Sequence, residues 1–188
     1  MLLQMLSHQP RMIFTIMANT PAWVWGLLAA LMALGVGQCF ARKVGLRRVL
    51  LTPIGMALFS AFGMVSAFGT AQQAASTLAL WLATAIAITG LSLWLLRTPP
   101  AGARYDAANR SFHLPGSMVP LVLIIGIFLV KYGVGVALAL QPTLAHDSPF
   151  ALQIALTYGF FNGIFAARAG RLLRLTTAKN AAHHVFAM

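Results

Sequence analysis

Acidic side chains are almost absent from this chain: it holds two, Asp106 and Asp147, against 13 lysines and arginines, for a net charge of +11. Charge of any kind is scarce, 8% of residues where a soluble domain carries about 25%, so this composition cannot build a water-soluble surface. A single cysteine, Cys39, excludes an intramolecular disulfide, a thiol relay and a cysteine zinc site, and its expected role is that of a small buried hydrophobe. No G-x-S-x-G, Walker, H-E-x-x-H or dinucleotide-binding pattern occurs, so no cofactor and no catalytic set is expected and the chain reads as a non-enzyme. The basic residues lie in short groups beside apolar runs with no groove-reading motif near them. The expected partner is therefore the lipid bilayer and not nucleic acid.

What the chain does have is apolar length. Five runs are long enough to cross a hydrocarbon core that needs about 20 helical residues: 21–40, 49–68, 75–96, 118–140 and 149–167. The expected fold is all-α, an integral membrane bundle of five transmembrane helices over residues 20–175, with a lead-in segment 1–19 and a tail 176–188. Thr20-Pro21 and Ser148-Pro149 each carry an N-cap residue followed by proline at the first helical position, where the missing N–H costs nothing. Pro53 and Pro120 fall in the first turns of their runs, where proline is equally tolerated.

Loop charge sets the orientation. Arg42, Lys43, Arg47 and Arg48 follow the first run, Arg97, Arg104 and Arg110 the third, and Arg168, Arg171, Arg174 and Lys179 the fifth, whereas the second and fourth connections carry no Lys or Arg. Cytoplasmic loops hold the basic excess, which predicts a bacterial inner membrane protein with its N-terminus outside and its C-terminus inside; only Arg11 disagrees. Trp23 and Trp25 at one end of the first run and Trp94 at the other end of the third fit interfacial belts. In this topology the two aspartates lie on opposite faces, which excludes paired-carboxylate chemistry within one chain. The histidines divide likewise, His8 and His146 outside and His113, His183 and His184 inside, so they form no shared metal site. The lead-in MLLQMLSHQP and RMIFTIMANTP reads as two versions of one short unit. Lacking a positive n-region, it is an interfacial amphipathic segment, or else the start lies at Met12 or Met17.

The third connection is the one textured stretch between spans. Tyr105 and Phe112 flank Asp106, Asn109 and Arg110, and Pro115-Gly116 follows His113, so a short cytoplasmic hairpin is expected, with Asp106 paired to Arg104 or Arg110. Tyr105-Asp106, Arg110, Phe112-His113, Pro115-Gly116-Ser117, Pro120-Leu121, Lys131-Tyr132 and Val134-Gly135-Val136 together resemble a proteobacterial family of inner-membrane proteins of unknown function. That family is distantly similar in layout to the CcdC-like proteins named for cytochrome c biogenesis. The resemblance covers 23–175 and implies a helical membrane body with no assigned activity or catalytic residue.

Lys131 is the principal functional lead. It lies near the middle of the fourth run, where a lysine costs about 2.5 to 3.5 kcal/mol, so it should face the bundle interior. At matching depth the fifth run offers Tyr158, Gly159 and Asn162, together with a ridge of small residues, Ala151, Ala155, Gly159, Gly163 and Ala167. The fourth run answers with Gly126, Gly133, Gly135 and Ala137, which predicts a close contact between the fourth and fifth helices. Two classes of function fit. In one, Lys131 is a structural pin on Tyr158, Asn162 or a carbonyl, in a non-catalytic accessory membrane component that works through a membrane-protein partner. In the other, Lys131 lines a path for an anion or proton in a small transporter or channel, built as a homo-oligomer.

Overall fold

The computed structural model of the protein describes residues 18–68, 71–98 and 100–185, without the side chains of residue 71 and of 177–185. Within these residues the elements run α1 (Ala22–Val36), β1 (Arg42–Gly45), α2 (Leu46–Ala67), α3 (Ala71–Leu95), β2 (Arg104–Asp106), β3 (Ser111–Leu114), α4 (Val119–Leu140), a 3-10 turn (Pro142–His146) and α5 (Ser148–Val185). The lead-in 1–17 and the side chains of Lys179, His183 and His184 lie outside the described residues.

Four of these helices, α2 to α5, are long and apolar enough to cross a membrane. A helix of 22 residues, such as α2 or α4, reaches ~33 Å at 1.5 Å per residue, against ~30 Å of hydrocarbon. α1 falls short at 15 residues, or ~22 Å. Its run was expected to continue to residue 40, but the helix stops at Val36, where Gly37 N–H closes on the Ala33 carbonyl. The chain then turns so that the Gln38 carbonyl accepts from Ser117 N–H at 3.1 Å. Thr20 does not cap α1 either; its hydroxyl hydrogen-bonds the Tyr132 hydroxyl on α4, and the helix starts without a side-chain cap. At the other end of the chain α5 is longer than its apolar run. It begins at Ser148 as expected and continues as one helix to Val185, through the residues read as a separate tail.

β1, β3 and β2 form an antiparallel sheet in that order, with Val44 and Tyr105 both opposite Phe112. The two-residue period explains it: Phe112 and Leu114 turn to one face and are buried, while Ser111 and His113 turn to the other. β2 and β3 are the expected hairpin; β1 is a strand that the apolar-run reading lacked. Asp106 does not pair with Arg104 or Arg110. Its carboxylate accepts from the Ala108 and Asn109 N–H groups and from the Asn109 amide at 2.8 Å, closing the turn as an Asx motif. These hydrogen bonds, the Asn109 side chain first, hold its carboxyl below the ordinary carboxylate range. Arg110 completes the turn at φ 45°. Because β1 follows α1 and β3 precedes α4, one sheet holds the α1–α2 and α3–α4 connections at the same end of the bundle.

α5 is the spine. Its ridge Ala151, Ala155, Gly159, Gly163 and Ala167 is buried, but the helix it meets most closely is α3, not α4 as the fourth-run glycines suggested. A Cβ added at Gly159 would lie 2.7 Å from the Trp81 carbonyl oxygen, and one at Gly163 would lie 2.9 Å from that of Ala85. Thr89 hydroxyl, which donates to Ala85 in its own helix, also lies 3.2 Å from the Gly163 carbonyl. Gly133 and Gly135 on α4 face open space, and Gly126 meets the Phe161 ring. Near the sheet, Arg171 donates twice to the Thr98 carbonyl and Arg174 donates to the carbonyls of Leu93 and Arg97. Basic side chains of α5 thus satisfy the carbonyls that the end of α3 leaves unpaired.

Candidate functional site

α1 and α4 pack as an antiparallel pair, with Gly35 against Leu121 and Thr20 against Tyr132. α2 stands apart from this pair on α5, and the space between is a cleft of about 840 Å³ whose walls are almost wholly apolar. Trp23, Leu27, Met56, Ile124 and Phe128 are among the lining residues, Phe165 of α5 also contributes, and Lys131 and Tyr132 open into the cleft.

Lys131 is the thirteenth residue of α4 and Phe59 the fourteenth of α2, two helices that leave the sheet side by side. The Lys131 Nζ sits 3.9 Å from the centroid of the Phe59 ring and 5.0 Å from that of Tyr158 on α5. A Cβ at Gly63 would stand 3.3 Å from the same nitrogen, so that glycine leaves the room in which the ammonium lies. Among the described residues Lys131 makes no hydrogen bond or ion pair. Of its expected partners, Tyr158 offers a ring face. Asn162 turns its amide nitrogen elsewhere, donating to Ser60 Oγ on α2 at 2.9 Å and to the Tyr158 carbonyl at 2.8 Å, while its buried Oδ1 accepts no hydrogen bond among the described residues. Tyr132 stacks on Phe128 with rings 7° from parallel, which aims its hydroxyl at Thr20.

The other residues singled out from sequence divide into two groups. Gly159 and Gly163 serve the α3–α5 contact and stand away from Lys131. Tyr105, Asp106, Arg110, Phe112 and His113 belong to the sheet, where the fully buried Phe112 packs with Val44, Leu114, Ala169 and Leu172. His113 lies on the opposite face, between Lys43 and Arg104 in register. Phe59, Ser60 and Gly63 are the residues the sequence reading missed. Depth counting from the sheet end of α2 reaches them as readily as it reaches Tyr158, but no feature of the sequence said that α2 is the neighbour. Among the described residues there is no group of His, Cys or Asp able to hold a metal ion.

A helical bundle with four membrane-length helices, a small basic sheet at one end and a lysine-bearing apolar cleft defines the class. The chain belongs to a family of unknown function (DUF6622), whose model matches residues 1–183, lead-in included. Comparison with curated proteins and with solved structures gives no match.

Proposed function

We propose that this protein is a non-catalytic accessory component of a bacterial inner membrane that holds an acidic amphiphile, such as a long-chain carboxylic acid, in the cleft between α2 and the α1–α4 pair. The observation that carries this reading is the ammonium of Lys131, which opens into an apolar cleft at mid-height and, among the described residues, is met by the ring faces of Phe59 and Tyr158 without a hydrogen-bond or ion-pair partner. Contact with an aromatic ring contributes about 0.5 to 2 kcal/mol. Placing lysine at the centre of a bilayer costs about 2.5 to 3.5 kcal/mol. Phe59 and Tyr158 together return about 1 to 4 kcal/mol, enough to balance that cost, so the binding role rests on the open apolar cleft beside the Lys131 nitrogen. Lys131→Met keeps the stem volume and removes the charge, so the variant should fold with equal or higher thermal stability in detergent while losing its stabilisation by added long-chain acid. Unfolding of the variant would restore the pin reading.

A second reading has its own observation. The cleft runs from Asn19 at one end of α1 to Gln38 at the other, past Lys131, as a path for an anion would. Anion flux in proteoliposomes that disappears in Lys131→Met would favour a transporter.

The membrane setting is supported by outward faces that are apolar: Leu58 is 67% exposed, Phe62 71%, Ile86 63% and Val122 66%. Trp23 and Trp94 are also exposed, consistent with interfacial belts. The orientation we adopt is five passes, N-terminus outside and C-terminus inside, with the sheet in the cytoplasm and α1 completing its passage with residues flanking the helix. The shared sheet supports it by placing both arginine-rich connections at one end. Reporter fusions after Phe68 and after Ser111 should report opposite sides; matching sides would defeat this topology.

A further inference from the structure

Three arginines close the sheet end of the cleft, each one step beyond a residue that lines it. Gln38 lines the cleft and its Oε1 accepts from Arg42 Nη2 at 2.6 Å. Thr52 lines it from α2 and donates to the carbonyl of Arg48, one turn nearer the sheet. Phe165 lines it from α5, three residues before Arg168. The sheet register brings two of these together independently. Arg42 shares the face of Val44, Phe112 and Leu114, which packs on α5 at Ala169 and Leu172. Arg42 thereby comes within electrostatic reach of both Arg48 and Arg168, and Arg168 also feels Arg171.

Arg168 is partly buried, and among the described residues its guanidinium has no hydrogen-bond or ion-pair partner. Asp106 is occupied by its turn, and Asp147 lies beyond the far end of α4. Burial, with Arg48 second, lowers the pKa of Arg42 below the usual arginine value. An arrangement of like charges with unused donors is stabilised by an anion placed among them, and a planar guanidinium fork matches the oxygens of a phosphate.

We propose that Arg42, Arg48 and Arg168 bind a phosphate ester at the sheet-end mouth of the cleft, as the headgroup of an anionic phospholipid whose chain enters the cleft. The apolar lining immediately above the arginines favours lipid over free phosphate. The site stands independently of what Lys131 binds.

The test uses the full-length protein in detergent, with retention of added lipid read by native mass spectrometry. Wild type should retain phosphatidylglycerol over phosphatidylcholine, and Arg42→Gln with Arg168→Gln should lower that preference by roughly tenfold, the loss of charge-assisted contacts. Arg48→Gln, on an exposed side chain, should lower it less and cannot be dismissed as misfolding. Arg171→Gln, whose guanidinium is committed to Thr98, removes one charge as Arg48→Gln does and should leave the preference unchanged. Inorganic phosphate that protects wild type as well as the lipid does, and fails in the Arg42 and Arg168 variant, would uphold the arginine site and assign it to free phosphate. Equal lipid preference in wild type, the double variant and Arg48→Gln would overturn the proposal. So would a loss from Arg171→Gln equal to that from Arg48→Gln, which would show bulk charge at work.

Discussion

Gly159→Leu should leave no stably folded protein. A leucine there must place its Cβ where the Trp81 carbonyl oxygen and the Thr84 Cβ each come within 2.7 Å of the position, and three more carbons beyond it. The obstacle on one side is backbone, which cannot swing aside as a flexible side-chain end can. Even Gly159→Ala forces α3 and α5 apart by several tenths of an ångström, an overpacking that costs about 1 to 3 kcal/mol. Separation also strains the Thr89 contact with the Gly163 carbonyl and the arginine bonds to the end of α3. The comparison that isolates packing from the general effect of adding a side chain is Gly133→Ala or Gly135→Ala. An added Cβ at either meets nothing, so both should be neutral or should gain up to about 0.5 to 1 kcal/mol from the lower backbone entropy of alanine. Thermal unfolding in detergent with size-exclusion profiles distinguishes these outcomes. Equal losses at positions 133 and 159 would contradict the α3–α5 assignment.

Gly116→Ala should be nearly as damaging, for a different reason. A Cβ at this position would overlap the Cys39 carbonyl oxygen and fall 3.1 Å from the Phe40 Cα, where two chain segments cross without room for a side chain. Accommodation requires moving the 38–40 backbone, which breaks the Ser117 N–H to Gln38 carbonyl bond and shifts β1 against β3. The expected loss is ~3 kcal/mol, at the upper end of overpacking costs. The sole cysteine provides the reporter. Cys39 Sγ rests 3.2 Å from Met118 Sδ across the same crossing. Maleimide labelling of Cys39 in Gly116→Ala should therefore be faster than in wild type under folding conditions. An unchanged labelling rate together with unchanged stability would show that the crossing is looser than described.

Helix existence was legible in the sequence wherever hydropathy and length spoke together. The runs at 49–68, 75–96, 118–140 and 149–167 correspond to α2 to α5, because about 20 apolar residues have few other ways to satisfy their backbone groups. The hairpin was legible from its turn residues, though Asp106 was assigned to an ion pair when its carboxylate closes the turn itself. Neighbourhood was less legible. The small-residue ridge on α5 was read from its four-residue spacing, but a ridge states only that some helix comes close. On α3 the Trp81 and Ala85 carbonyls, with the Thr84 and Ile88 side chains, approach the glycines, and backbone carbonyls are invisible in a residue pattern. β1 was hidden for a related reason. Its four residues carry two charges and a glycine, and they form a strand only because Phe112 supplies the next one. Lys131 was found as an anomaly of composition, and it stands near the middle of α4. Its surroundings were not, since Phe59 and Gly63 resemble any other apolar residues of α2 until the helices are assembled.

The central claim, that Lys131 marks a cleft for an acidic amphiphile, is tested most directly by photo-crosslinking. A long-chain fatty acid carrying a diazirine near its carboxylate would be added to the full-length protein in nanodiscs, irradiated, and the modified peptides identified. The account predicts labelling on cleft residues around Lys131, such as Met56, Ile127, Phe128 and Val136, with loss of that labelling in Lys131→Met. Labelling confined to outward-facing residues such as Phe62 and Val122, or an equal yield on the cleft residues in the variant, would contradict it.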